Sequence, residues 1–163
     1  LSRRREEAPE LEQLILRPGT ILGAGTRNQI TGLFEGTRIL QLSGSPSPFV
    51  LIWDRDVVGA ILHGLIHRKS GIYNLAGDGA LTIGEMAEMM GKPVITLPVP
   101  LVKAALALLS LLKLTPYGPE QVRFLRYRPV LLNSRLKEEF GYVPRKTTRE
   151  VWEFYLRERG YRA

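Results

Sequence analysis

Apolar and polar positions fall in blocks that switch between strand length and helix length along the whole chain. Residues 13–16 read as a buried strand stopped by Pro18-Gly19, and residues 28–34 suit a short helix after the turn Gly23-Ala24-Gly25. Residues 38–42 alternate as a strand does, and 43–48 (SGSPSP) form a loop. The continuous apolar run 49–53 is the next strand candidate. After it, Val57, Ala60, Ile61, Gly64 and Leu65 keep helical spacing to about residue 68, with Asp54 or Asp56 as the N-cap.

The second half repeats the alternation. Residues 71–75 read as a strand closed by Gly77-Asp78-Gly79. Thr82 and Glu85 form a capping box, in which hydroxyl and carboxylate satisfy each other's orphan backbone donors, for a helix ending at Gly91. Residues 94–97 suit a strand, and Pro98 and Pro100 lead into 101–112, apolar on every side. A helix apolar all round is either buried or lipid-bound, and its length favours a core helix over a membrane span. A short helix is expected after Pro119 and another over 134–140, stopped by Gly141. A second capping box, Thr147 with Glu150, opens a last helix running to about residue 159. Strands alternating with helices define an α/β class, with α+β character for a part of a larger sheet. There is no internal repeat.

Composition narrows the picture. At 163 residues, 44% hydrophobic and 24% charged, the chain is ordinary for one globular domain. Residues 1–10 read as a charged leader, leaving 11–163 as the domain. There is no cysteine, which excludes disulfides, thiolate catalysis and Cys-containing metal sites. With no signal peptide in view, a cytoplasmic location is the expectation. The net charge of +7 raises the question of nucleic acid, but no helix-turn-helix, zinc finger or aromatic RNA-binding signature accompanies it. A basic surface that grips a phosphate-bearing small ligand is the better reading, with no nucleic-acid partner.

Four constellations invite chemistry. Gly23-Ala24-Gly25 follows a strand, but the third glycine of a dinucleotide fingerprint would fall at Asn28, so a tight turn is the simpler reading. Tyr142 and Lys146 have the spacing of a Tyr-x-x-x-Lys acid/base pair. That chemistry needs a helix, and Gly141 and Pro144 place the pair in a loop, so it is rejected as catalytic. His63 and His67 are one helical turn apart, yet no third ligand is evident, and no metal site is assigned. Asp54 and Asp56 are explained by helix capping.

In order along the chain, LILRPGTILGAG (14–25), FVLIWDRDVVGAIL (49–62), GIYNLAGDGALTIGEMAEMM (71–90) and RLKEEFGYVPRKTTREVWEFYL (135–156) resemble the C-terminal half of the extended short-chain dehydrogenase/reductases, the NAD-dependent epimerase/dehydratase family. The resemblance implies the C-terminal substrate-binding part of an extended Rossmann-type reductase, with the nucleotide-binding strands, glycine fingerprint and catalytic Tyr-x-x-x-Lys upstream. It implies NAD or NADP as cofactor of the parent protein, none bound by this chain alone, and no catalytic residue within it. Pro18 and Gly19 would contact the nicotinamide end of the cofactor, and Thr20 and Asn28 the substrate. Arg128, before Pro129, would hold a nucleotide diphosphate.

The departures point elsewhere. Ser47-Pro48 stand where a second phosphate-gripping arginine is usual, and Thr20 where many sugar-nucleotide epimerases carry asparagine. With the apolar stretch 101–112, this keeps a steroid- or lipid-like substrate, or a peripheral membrane contact through Leu101 to Leu112, as the alternative to a sugar nucleotide. The expected partners are a small-molecule substrate and either the missing N-terminal half or a second copy in a homodimer.

Overall fold

A computed structural model describes residues 12–44, 48–111 and 130–161. The charged leader, the helix expected after Pro119, Ser47 and Arg128 lie outside the described residues. The chain divides into two compact units, one formed by residues 1–23, 50–79 and 131–155, the other by 24–49, 80–130 and 156–163.

In the first unit, β1 (Leu14–Pro18) pairs in parallel with β5 (Gly71–Leu75), in the register Leu14 to Gly71 through Pro18 to Leu75. β2 (Thr20–Leu22) pairs in parallel with β4 (Leu51–Trp53). Pro18-Gly19 does not end the strand as expected. The backbone continues extended and changes partner: Gly19 N–H donates to Leu75 O at 2.9 Å, while Thr20 N–H donates to Val50 O at 3.0 Å. A Cβ on Gly19 would lie 2.7 Å from Val50 O, so this exchange of partners requires glycine.

α2 (Asp54–Ile66) crosses from β4 to β5. Its buried stripe of Asp56, Ala60 and Gly64 is small-sided, which lets the helix lie close; a Cβ on Gly64 would run into the Leu14 side chain. The core beneath it joins Ile52, Ala60, Tyr73, Leu75, Leu136 and Phe140, with Leu14, Leu16 and Val57 against them. The N-cap is Trp53, without a side-chain cap, so neither aspartate is the N-cap the sequence suggested; both lie in the first turn, where Asp54 Oδ1 still accepts one first-turn donor, the Arg55 N–H, at 2.8 Å.

In the second unit, β3 (Ile39–Leu42) pairs in parallel with β6 (Val94–Leu97). α1 (Gln29–Gly32) is capped by Asn28, whose Oδ1 accepts from the N–H groups of Ile30 and Thr31, both at 2.9 Å. α3 (Ile83–Glu88) opens with the expected capping box, the Glu85 carboxylate accepting from Thr82 N–H at 2.8 Å. Gly91 ends that turn at φ +64. Phe34 and Phe49 meet edge to face at 6.1 Å, both buried.

α4 (Val99–Leu111) corrects the expectation of a core helix, because Leu101, Ala104, Ala105, Ala107 and Leu108 are all exposed. α5 (Thr148–Glu158) buries Val151, Trp152, Tyr155 and Leu156, an i, i+1, i+4, i+5 face that the sequence pattern carries openly. The expected helix over 134–140 is present, mostly as a π-helical turn (Leu136–Phe140), and Gly141 stops it in the left-handed region at φ +85.

Candidate ligand site

In open parallel sheets, ligands gather at the carboxyl ends of the strands, where backbone ends and loops converge. In the first unit that edge holds Pro18-Gly19-Thr20 after β1 and Gly77-Asp78-Gly79 after β5. Pro18 has no N–H, and the N–H groups of Gly19 and Thr20 are already bonded to Leu75 and Val50. A ligand therefore meets this turn through the proline ring, the bare Gly19 surface or the Thr20 hydroxyl, and not through backbone donors. Such a surface suits a flat ring laid edge-on better than a phosphate, which needs donors.

The opposite loop is held rigidly. Asn133 Nδ2 donates to Ala76 O and to Asp78 Oδ1, both at 2.8 Å, and Lys137 Nζ reaches the same oxygen at 2.8 Å. Hydrogen bonds from Lys137 and then Asn133 hold the Asp78 carboxyl below its ordinary value. A lowered carboxyl pKa contributes stability above the unfolded value, near 4, and loses it as pH falls through the folded value. We expect Asp78→Asn to remove that acid-side loss in urea melts run between pH 6 and pH 3. The pair is half-exposed, so the effect should be about 0.5 kcal/mol.

Beside the same edge lies an open cleft of about 390 Å³ lined by Arg17, Ile72, Asn74, Leu132, Ser134 and Arg135. Arg17 and Asn74 are register partners, so their side chains share one sheet face. Asn74 Nδ2 donates to Leu132 O at 3.1 Å, and Arg135 is held by Glu139 in a two-pronged pair at 2.8 and 2.7 Å. Arg17 has no such partner among the described residues, so the net positive charge of the cleft comes from it. This cleft was missed in the sequence; the signal was a polar residue intruding near the end of each apolar strand, Arg17 after Leu14-Ile15-Leu16 and Asn74 inside Gly71–Leu75.

The residues singled out in the sequence do not all come together. Pro18, Gly19 and Thr20 stand in the first unit, Asn28 stands in the second with its amide oxygen committed to capping α1, and Arg128 is outside the described residues. Tyr142 and Lys146 do flank a loop. Tyr142 donates to Asp56 Oδ1 at 3.0 Å, while Lys146 Nζ lies 4.9 Å from the centre of the Trp53 ring. Burial, then the bond to Asp56, pushes the Tyr142 phenol up to about 12, the opposite of what a tyrosine base needs. His63 Nε2 donates to Phe140 O at 3.0 Å, tying down the last turn before Gly141. Among the described residues no group of three His, Asp or Glu could hold a metal ion.

No family model matches the chain. An uncharacterized protein of Mycobacterium tuberculosis (strain H37Rv) is 28% identical over 164 residues, covering 98% of this chain and 42% of the relative. Among solved structures, UDP-N-acetylglucosamine 4-epimerase from Bacillus cereus superposes with a TM-score of 0.62 at 16% identity, over 97% of this chain and 52% of that one. A short-chain dehydrogenase/reductase superfamily protein from Agrobacterium tumefaciens, solved with bound NAD, gives 0.61 at 17% identity, over 98% and 54%. The fold is that of the epimerase-type short-chain dehydrogenase/reductases. It is matched over about half of their length, the share expected of a C-terminal half, and the chain likewise spans less than half of its curated relative.

Proposed function

We propose that this chain is the substrate-binding part of an NAD(P)-dependent epimerase, dehydratase or reductase of the cytoplasm, acting on a sugar nucleotide or a related alcohol or ketone. One observation carries the reading: a parallel strand pair ends in Pro18-Gly19, in a chain that spans half of the structures sharing its fold. Among the described residues β1 has a strand on one side only. Parallel sheets are normally covered and extended, so that edge is a place for further strands. The outer face of α2 supports this, since Val58, Ile61, Leu62, Leu65 and Ile66 stand exposed at helical spacing. A cofactor-binding half, or a second copy, would cover both surfaces.

NAD(P), when bound by the complete protein, supplies hydride acceptance and return. The residues of this chain do the positioning. Pro18 and the bare Gly19 would form the wall against the nicotinamide ring, and Thr20 would orient a substrate hydroxyl. Arg128 would neutralise a diphosphate. No base or nucleophile is assigned here, so the chain alone binds and does not turn over.

Calorimetric titration of the 163-residue chain with UDP tests this. Binding is expected, weakened about tenfold or more by Arg128→Ala, the worth of one charge-assisted hydrogen-bonding side chain. NAD with UDP-glucose should give no absorbance change at 340 nm. Turnover by this chain would overturn its inactivity, and binding of a sterol in place of UDP would favour an apolar substrate, for which the exposed α4 speaks.

A further inference from the structure

We propose that α4 (Val99–Leu111) docks the protein onto an anionic lipid surface. Leu101, Ala104, Ala105 and Leu108 stand at i, i+3, i+4 and i+7, so they share one helix face, and all four are exposed. Leu101 and Leu108 each keep 57% of their surface in water. The opposite face is no more polar: Ser110 and Lys103 are the only polar residues of the helix. A solvent-facing helix normally carries charge on its outer side. This one does not.

Charge selects the occupant. From Met89 to Pro119 the sequence contains no aspartate or glutamate, and its only charged residues are Lys92, Lys103 and Lys113. The whole chain carries +7. A second copy would bring like charge to like, whereas an anionic bilayer complements it, each lysine near the surface favouring binding about fivefold. At about 1.5 Å per residue the helix is roughly 20 Å long, too short for a hydrocarbon core of about 30 Å. No helix among the described residues is long and apolar enough to cross a membrane. The geometry is that of a helix lying in the interface, the exposed Leu101 and Leu108 in the acyl boundary, with the positive charge of its stretch of sequence favouring anionic headgroups. The inference is independent of the cofactor reading above.

Co-sedimentation of the 163-residue chain with vesicles tests it. Binding is expected to mixed phosphatidylcholine–phosphatidylglycerol vesicles, and at least tenfold weaker binding to pure phosphatidylcholine. Leu101→Asp with Leu108→Asp should abolish binding. Lys103→Gln with Lys113→Gln should cost about tenfold or more on the anionic vesicles. Leu65→Asp, on the equally exposed face of α2, should leave binding unchanged. Leu101, Leu108 and Leu65 are exposed, and the thermal melt of each variant should match the parent and keep the readout free of folding effects. Absence of binding to anionic vesicles overturns the proposal, as does binding indifferent to the two aspartates. A dimer by light scattering that Leu108→Asp disperses, without vesicle binding, would assign the face to a second copy instead.

Discussion

Replacing Asp56 with alanine is expected to lower the unfolding free energy by about 3 kcal/mol, the cost of stranding buried partners of a charged group. Asp56 is fully buried in the first turn of α2. Its carboxylate accepts the Tyr142 hydroxyl at 3.0 Å and the Arg145 N–H at 3.1 Å to each oxygen. Both donors come from the loop after Gly141, 86 and 89 residues further along the chain. The aspartate therefore fastens the C-terminal loop to the start of the helix, and alanine would leave a phenol and a backbone donor without partners. Urea melts of Asp56→Ala, Tyr142→Phe and the double variant measure the tie. Tyr142→Phe should cost about 1.5 kcal/mol, and the double variant should cost less than the sum of the singles by about 1 kcal/mol. Additive losses would mean that the two groups do not communicate.

The same contact has a titration signature. The Tyr142 phenol is raised to about 12, by burial first and by Asp56 second. A raised pKa gives stability that is complete below the unfolded value, near 10, and lost as pH rises through the folded one. One of the six tyrosines should thus ionise late in an absorbance titration at 295 nm. In Asp56→Asn, which removes the neighbouring charge, it should move toward 10.

Much of this fold was legible because its signals are local. The capping boxes at Thr82/Glu85 and Thr147/Glu150 form as read, and Gly91 and Gly141 stop helices in the left-handed region. The face of α5 follows from spacing alone. What was not legible depends on partners distant in sequence. Pro18-Gly19 looks like a strand end, yet β2 continues beyond it because β4 takes over the hydrogen bonding from β5. Asp54 and Asp56 carry the composition of a cap, but burial of the position made Asp56 a tertiary anchor. The apolar run 101–112 reads as core by composition; periodicity could not show that its stripe stays exposed. At the site, the Pro-Gly turn was visible in the residues. The cleft was not, because Arg17 and Asn74 share a face only through the register of two strands 57 residues apart.

The Gly77 position carries the other large effect, and it too comes from distant partners. Three backbone atoms crowd the place a Cβ would take: Lys146 O at 2.8 Å, Leu51 O at 2.9 Å and Thr148 N at 2.9 Å. None belongs to a side chain that could rotate away. Around them a tight knot closes, with Gly77 N–H donating to Leu51 O at 2.8 Å and Thr148 N–H to Asp78 O at 2.8 Å. The buried Thr148 hydroxyl accepts from Leu51 N–H at 3.2 Å and donates to Gly79 O at 2.9 Å. Alanine at 77 must part β4 from the start of α5, so Gly77→Ala is expected to cost about 3 kcal/mol, the upper range for overpacking. For a chain of this length that is a fall of roughly 9 °C in Tm. Gly79→Ala separates crowding from backbone strain. Its Cβ would meet nothing within 4 Å, but its φ of +77 is disfavoured for alanine, which predicts a loss of only about 1 kcal/mol. Gly25→Ala has neither problem and should fall within about 0.5 kcal/mol of the parent. Equal losses at 77 and 79 would show that the loop yields, and that β4, the Gly77–Gly79 loop and α5 are not locked together; the graded series would show that the loop at the carboxyl end of β5 is held in place before any ligand arrives.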